Sequence, residues 1–133
     1  MSRVSDPEYS SEYSELVVEH FERPRHVGTL AAADGVIQGR AGRRDQGAEF
    51  GLTARIADNR IVEARFEAYG CPHCVAAGSL LTEAVIGSEL APLRAWSWRQ
   101  LADQLQVPTS KRGRLLILED AVRAMAEDWA QKP

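Results

Sequence analysis

The chain has 133 residues, of which 44% are hydrophobic and 26% charged, so its size and composition predict a single globular domain over residues 1–133. Its formal net charge of -3 at pH 7 argues against a nucleic-acid partner, because proteins that bind nucleic acid carry a basic surface. No apolar run approaches the roughly 18 residues of a membrane span, and Met1–Ser11 lacks the apolar segment of a signal peptide, so we expect a cytoplasmic protein without membrane contact.

The N-terminal part of the chain divides into a polar stretch and a helical pattern. Residues 1–11 contain little apolar material, which predicts a flexible arm, with the folded domain over 12–130. Over 13–21 the apolar positions recur at the spacing of one helix face, and His20 falls on that face, where we expect a structural role. Pro24–Gly28 predicts a rigid turn that ends this helix.

The middle of the chain has the period of two that is typical of strands. We predict a weak first strand over Gly35–Ala41 and a hairpin of Ala48–Ala57 and Val62–Tyr69, joined by a turn at Asp58-Asn59. These strands should form an antiparallel sheet with one solvent-exposed face. The side chains expected to face the core are Ala48, Phe50, Leu52, Ala54, Ile56, Val62, Ala64, Phe66 and Ala68.

The remaining third supplies helices to cover the sheet. One helix is predicted from about Pro72 to Ile86, ended by Gly87, and a connector then leads to an aromatic segment around Trp96 and Trp98. A long C-terminal helix is predicted from apolar residues spaced three and four apart, namely Leu115, Leu118, Val122, Met125 and Trp129. The sequence therefore predicts an α+β fold in which helices pack on one face of a three-stranded antiparallel sheet.

Both cysteines of the chain lie in Cys71-Pro72-His73-Cys74, where the last strand pattern meets a helix. Such a pair can chelate a soft metal, close a redox disulfide, or pack as small buried apolar residues. At a helix N-terminus the free amides and the dipole favour thiolate, the species that binds zinc or iron. His73 could add an imidazole nitrogen, and Asp45, in the loop before the second strand, is the remaining candidate ligand.

Several short motifs match one protein family. Tyr13–Glu15, His20-Phe21 and Pro24–Gly28 look like its opening, Ala64–Cys71 matches its second-cysteine motif, and Leu118–Ala121 fits its C-terminal helix. On these motifs the chain resembles the IscU/NifU-type iron-sulfur cluster assembly scaffolds. The resemblance implies their α+β fold, a non-enzymatic role in cluster assembly, and a cysteine desulfurase or other cluster-assembly proteins as partners.

The ligand positions of that family are largely replaced. The resemblance implies a cluster or zinc held by three cysteines from three loops, with an aspartate and a histidine. Of the three cysteines this chain retains Cys71; Gln46 and Ala48 stand in place of the first cysteine and the aspartate, and Gly113 and Arg114 in place of the histidine and the third cysteine. A guanidinium cannot ligate a metal, but its charge could stabilise a Cys71 thiolate.

Three functions remain open on the sequence. The leading one is a divergent or accessory scaffold that binds iron, zinc or a [2Fe-2S] cluster through Cys71 and Cys74, with further ligands from a dimer or from glutathione. The second is a thiol-disulfide redox protein, since Cys-Pro-His-Cys resembles the motif of DsbA-type thioredoxin-fold oxidants, although here the motif follows an antiparallel hairpin. The third is a non-metal adaptor of the cluster-assembly machinery.

Overall fold

The structure is a computed structural model that describes residues 13–131, so the predicted N-terminal arm over 1–11 lies outside the described residues. It contains three strands and four helices, joined in places by short 3-10 turns. In chain order these elements are α1 (Glu15–Glu22), β1 (Val36–Arg43), β2 (Ala48–Ala57), β3 (Arg60–Tyr69), α2 (Pro72–Val85), α3 (Trp98–Leu105) and α4 (Gly113–Ala130). The predicted α+β class is confirmed.

The three strands form one antiparallel sheet in the order β1-β2-β3. The β2–β3 hairpin turns at Asp58 and Asn59, which have φ values of 52° and 66°. A two-residue hairpin turn needs positive φ at both positions, and Asn and Asp tolerate it better than most side chains. The predicted hairpin is therefore confirmed, and all five alternate residues predicted to face inward on β2 are buried.

The predicted inward position of Val62 on β3 is wrong. The hairpin register shifts between Arg55 and Ile56, so that Arg55 pairs with Glu63 while Ile56 pairs with Ile61. Val62 is the extra residue of this irregularity and is 42% exposed, whereas Ile61 is fully buried. A bulge adds one residue to one strand and so reverses the faces of the residues beyond it.

Helices cover one face of the sheet, and the distance between the helices and the strands is very short. Helix α4 packs across β1 and β2, and α2 packs between β3 and α1. At Gly39 of β1 an added Cβ would lie 2.3 Å from the carbonyl oxygen of Ala121, so the backbones of β1 and α4 are in direct contact. Gly78 of α2 meets the ring of Phe66 in the same way. These two glycines set the distance between the helical layer and the sheet.

Helix α3 was not predicted from the sequence. It has eight residues, with Leu101, Ala102 and Leu105 buried, so its apolar periodicity covers only about two turns. Its start is fixed by the Ser97 side chain, which accepts the backbone N–H of Arg99, and from outside by the buried carboxylate of Glu119 on α4, which accepts the backbone N–H of Trp98 at 3.0 Å. Tertiary contact of this kind leaves no local sequence signal.

His20 has the structural role predicted for it. It is 3% exposed, and its Nδ1 lies 2.7 Å from Oγ of Ser79 on α2. The same hydroxyl accepts the backbone N–H of Arg25 at 2.8 Å, and the Arg25 guanidinium lies 3.1 Å from Nδ1. This cluster fastens α1 and the turn at Pro24–Gly28 to α2. In the part of the chain that the structure describes, no helix is both long and apolar enough to cross a membrane.

Candidate metal and thiol site

The two cysteines lie where β3 leads into α2. Cys71 is the N-cap residue of α2, Pro72 begins the helix, and Cys74 lies in its first turn. The chain turns between strand and helix at Gly70, whose φ is +149°. A Cβ at Gly70 would lie 2.6 Å from the Sγ of Cys74, so the glycine gives the second sulfur its space. The motif thus has the strand-to-helix position that the sequence predicted.

The two sulfur atoms are neighbours without being bonded. Both cysteines are free, and their Sγ atoms lie 4.0 Å apart. Two thiolates on one tetrahedral zinc, each at about 2.3 Å, would be separated by about 3.8 Å. Cys71 is half-buried and Cys74 is fully buried. The pair therefore has the spacing of two ligands of one metal ion, and Cys71 is the residue of the two that has exposed surface.

His73 is part of the same site rather than a surface residue. It is fully buried, its Nδ1 lies 3.8 Å from Sγ of Cys71, and its Nε2 has no hydrogen-bond partner. The ring of Tyr13 packs on it with the centroids 4.9 Å apart. A buried nitrogen without a partner costs stability, so an orphan of this kind is a common mark of a functional site.

Arg114 brings a positive charge to the thiol pair from a distant part of the chain. Its guanidinium, at the start of α4, lies close enough to Cys71 to help lower the pKa of that thiol. On its other side lies the turn before β2, since a Cβ at Gly47 would be 3.9 Å from an Arg114 amino nitrogen. The turn before β2, the start of α2 and the start of α4 therefore meet at one corner, as the family resemblance implied for its three loops.

The environment divides the two thiols into one thiolate and one thiol. The pKa of Cys71 lies far below its usual value, chiefly because the Cys74 thiol hydrogen-bonds to it, with His73 and Arg114 assisting and burial opposing. The pKa of Cys74 is raised, because it hydrogen-bonds to the Cys71 thiolate and is buried. One negative charge is therefore shared by the pair and centred on Cys71.

The candidate ligand Asp45 is engaged elsewhere. Its carboxylate accepts two hydrogen bonds from the Arg43 guanidinium, at 2.6 and 3.1 Å, and this contact holds its pKa below the usual value. Gln46, in the position the family gives to its first cysteine, is exposed. Among residues 13–131, no three His, Cys, Asp or Glu side chains come together as a metal-binding group. The four candidate ligands thus do not form one set in this structure.

Two site residues were missed by the sequence reasoning. Tyr13 covers His73, and the Lys111 ammonium lies 5.5 Å from the centre of the Tyr13 ring. Tyr13 falls on the predicted helix face and Lys111 in a basic run, so each has an ordinary structural explanation in the sequence. Their proximity to His73 arises only when α1, α2 and the turn before α4 pack together.

Comparisons with known proteins find relatives over most of the chain. The sequence profile described as NifU-like N terminal domain matches residues 12–133. The chain is 37% identical over 122 residues to the iron-sulfur cluster assembly scaffold protein IscU of Haemophilus influenzae, covering 90% of this chain and 97% of that protein. It is 36% identical over 122 residues to IscU of Escherichia coli K12, covering 90% and 95%.

Solved structures show the same fold at lower identity. The crystal structure of a NifU-like protein (N-terminal) from Brucella abortus superposes with a TM-score of 0.69 at 18% identity, covering 90% of this chain and 95% of that one. A putative scaffold protein for the SUF system from Fervidobacterium islandicum gives a TM-score of 0.55 at 19% identity, covering 86% and 93%. At these identities the likeness supports the fold alone.

Proposed function

The chain belongs to the NifU-like N terminal domain family, and on that premise we propose that it takes part in iron-sulfur cluster assembly, holding iron, zinc or a [2Fe-2S] cluster as cargo through Cys71 and Cys74. The observation that carries this proposal is the pair of free sulfurs 4.0 Å apart at the N-terminus of α2. Relatives that are 36–37% identical over 90% of the chain are named iron-sulfur cluster assembly scaffolds, which supports the same general role here.

Two thiolates fill only part of the coordination that iron or zinc requires. The described residues offer no third group within a three-ligand cluster, so the remaining ligands come from outside this part of the chain, and a second copy or a small molecule can supply them. A second copy would bring its own Cys71 and Cys74, making the four thiolates of a [2Fe-2S] cluster. Small thiols such as glutathione are the other source, since they supply the same sulfur ligand.

Arg114 favours an anionic cargo over a bare cation. A divalent metal with two thiolates is neutral, and a guanidinium beside it repels the metal ion. A [2Fe-2S] cluster with four thiolates carries a net charge of about -2 when both irons are ferric, and one Arg114 from each of two copies would offset it. Because Arg114 lies at this corner and helps to lower the pKa of Cys71, we infer that a cluster shared between two copies fits the site better than zinc bound by one chain.

Anaerobic reconstitution with ferrous iron and sulfide tests the proposal. We expect visible charge-transfer absorption, bound iron and sulfide, and a shift from monomer to dimer on size exclusion. Cys71→Ser and Cys74→Ser should each abolish the absorption. Asp45→Asn is the matched control, because its carboxylate is exposed and paired with Arg43; its absorption should equal that of the unchanged chain.

The outcome also separates this role from the adaptor function. A protein that stays colourless and retains neither iron nor zinc would overturn cargo binding. If the colourless protein and its double cysteine variant both still bound a cysteine desulfurase or another cluster-assembly protein, the non-metal adaptor function would take the place of cargo binding.

A further inference from the structure

The two cysteines of the site differ in solvent exposure, and this difference suits them to a reaction in which one sulfur attacks and the other resolves. The Cys71 side chain is half-buried at the N-cap of α2, whereas Cys74 lies beneath it with no exposed surface. Of the two cysteines, Cys71 is the one with exposed surface for an external reagent, and the Cys74 sulfur lies 4.0 Å from the Cys71 sulfur. Closing this gap to a disulfide bond of about 2.05 Å requires a shift of about 2 Å.

Polar and charged groups surround the thiol pair. Nδ1 of His73 lies 3.8 Å from the Cys71 sulfur, and the other ring nitrogen is buried without a partner. Arg114 lies at the same corner, since a Cβ at Gly47 would be 3.9 Å from its amino nitrogen and a Cβ at Gly70 would be 3.1 Å from the Gly47 carbonyl oxygen and 2.6 Å from the Cys74 sulfur. The Lys111 ammonium lies 5.5 Å from the centre of the Tyr13 ring, which packs on His73. Arg114 therefore brings positive charge to the thiol pair, which suits a ligand that carries negative charge.

We propose that Cys71 and Cys74 carry out thiol-disulfide exchange with an anionic low-molecular-weight disulfide, of which glutathione disulfide is the example tested, with Cys71 as the attacking sulfur and Cys74 as the resolving one. This activity goes beyond cargo binding, because it needs no metal, although it uses the same two sulfurs.

The exchange proceeds in two balanced steps. The Cys71 thiolate attacks one sulfur of the disulfide, forms a mixed disulfide with the first glutathione, and releases the second as a thiolate. The Cys74 sulfur then attacks Sγ of Cys71, the mixed disulfide breaks, and the remaining glutathione leaves, with the Cys74 proton passing to one released glutathione thiolate and a proton from water passing to the other. Two electrons move from the protein pair to the glutathione disulfide, which becomes two glutathione molecules, and the protein is left with a Cys71–Cys74 disulfide.

Mass spectrometry of the reduced, metal-free protein with glutathione disulfide tests the order of the steps. The unchanged chain should lose two hydrogens and carry no lasting adduct. Cys74→Ser should accumulate one glutathione adduct, on Cys71, and Cys71→Ser should form its adduct at least tenfold more slowly. Equal rates in the two variants, or a stable adduct on the unchanged chain, would overturn the proposal.

The charge preference is tested with cystamine, a cationic disulfide, by comparing each rate with that of a free peptide containing Cys-Pro-His-Cys. Relative to the peptide, the protein should favour glutathione disulfide, and Arg114→Gln should reduce this preference severalfold while Arg114→Lys retains most of it. The same preference in the protein and the peptide would overturn the anionic substrate class. Thermal unfolding of each variant confirms that it is folded.

The two experiments distinguish a failure of thiol-disulfide exchange from a failure of cargo binding. A protein that builds a cluster under anaerobic conditions but shows no ordered exchange would lose only the exchange activity. A protein that exchanges as expected yet retains neither iron nor zinc would lose only cargo binding.

Discussion

Arg114, in the first turn of helix α4, lies close enough to Cys71, the N-cap residue of helix α2, to help lower the pKa of its thiol. Its relatives' pattern, as the resemblance implied, gives this position to a third cysteine. Three chain segments meet at this corner, but a cation stands where the resemblance implied a third sulfur ligand. The chemistry of the site depends on this replacement.

Replacing this cation by a thiol should convert the corner into a better zinc site. In Arg114→Cys a third sulfur stands beside the thiol pair and the repulsion of the metal is removed, so zinc affinity should rise by roughly tenfold or more. A competition titration against a chromophoric chelator measures it.

Arg114→Ser is the matched control, since it removes the charge without adding a ligand. It should raise zinc affinity less than Arg114→Cys and weaken the shared cluster. Equal zinc affinity in the two variants would show that the side chain at position 114 does not reach the metal.

The difference in pKa between the two thiols predicts that Cys71 is alkylated at unusually low pH. The pKa of Cys71 lies far below its usual value and that of Cys74 is raised. Iodoacetamide reacts with thiolate, so one cysteine, Cys71, should be modified at pH values well below the ordinary thiol pKa of about 8.5. Mass spectrometry of peptides from a pH series identifies the modified residue.

The control for this alkylation experiment removes the Cys74 thiol, which is the hydrogen-bond donor to Cys71. Because the Cys74 thiol is the largest cause of the low pKa of Cys71, Cys74→Ala should move the alkylation profile of Cys71 toward higher pH. A profile that does not move would mean that Arg114 and His73 suffice to hold the thiolate.

How much of this site was predictable depends on what fixes each residue. The strand-to-helix position of Cys71 followed from a local change of period, as did the inward face of β2. The contact of Arg114 with Cys71 joins residues far apart in sequence, and only the family resemblance indicated it. The burial of His73 and the outward turn of Val62 depend on packing and on a bulge, neither of which periodicity encodes.

The His20 cluster predicts a loss of stability in mild acid. Burial, and then the nearby Arg25 charge, lower the pKa of His20 from its model-compound value of 6.5. The unfolded chain therefore binds the proton first, so stabilisation is full above about pH 6.5 and falls as the pH drops toward the folded-state pKa. Denaturant unfolding between about pH 7.5 and about pH 5.5 measures this slope.

His20→Gln separates this residue from other acid-sensitive groups. The variant should be less stable at neutral pH, because its amide does not reproduce the contacts with Ser79 and Arg25. Its unfolding free energy should also change less over the same pH range. A slope as steep as that of the unchanged chain would assign the acid sensitivity to another group.

The contact between β1 and α4 predicts the cost of a single methyl group. A Cβ at Gly39 would lie 2.3 Å from the Ala121 carbonyl oxygen and 2.4 Å from the Met125 nitrogen, both backbone atoms that cannot rotate away. Gly39→Ala must push α4 off the sheet, and overpacking of this kind costs about 1–3 kcal/mol. Gly113→Ala is the matched control, because nothing lies within 4 Å of its added Cβ and Ala favours the helix. Denaturant midpoints should fall for the first variant and hold or rise for the second, and equal midpoints would refute direct backbone contact between the two layers.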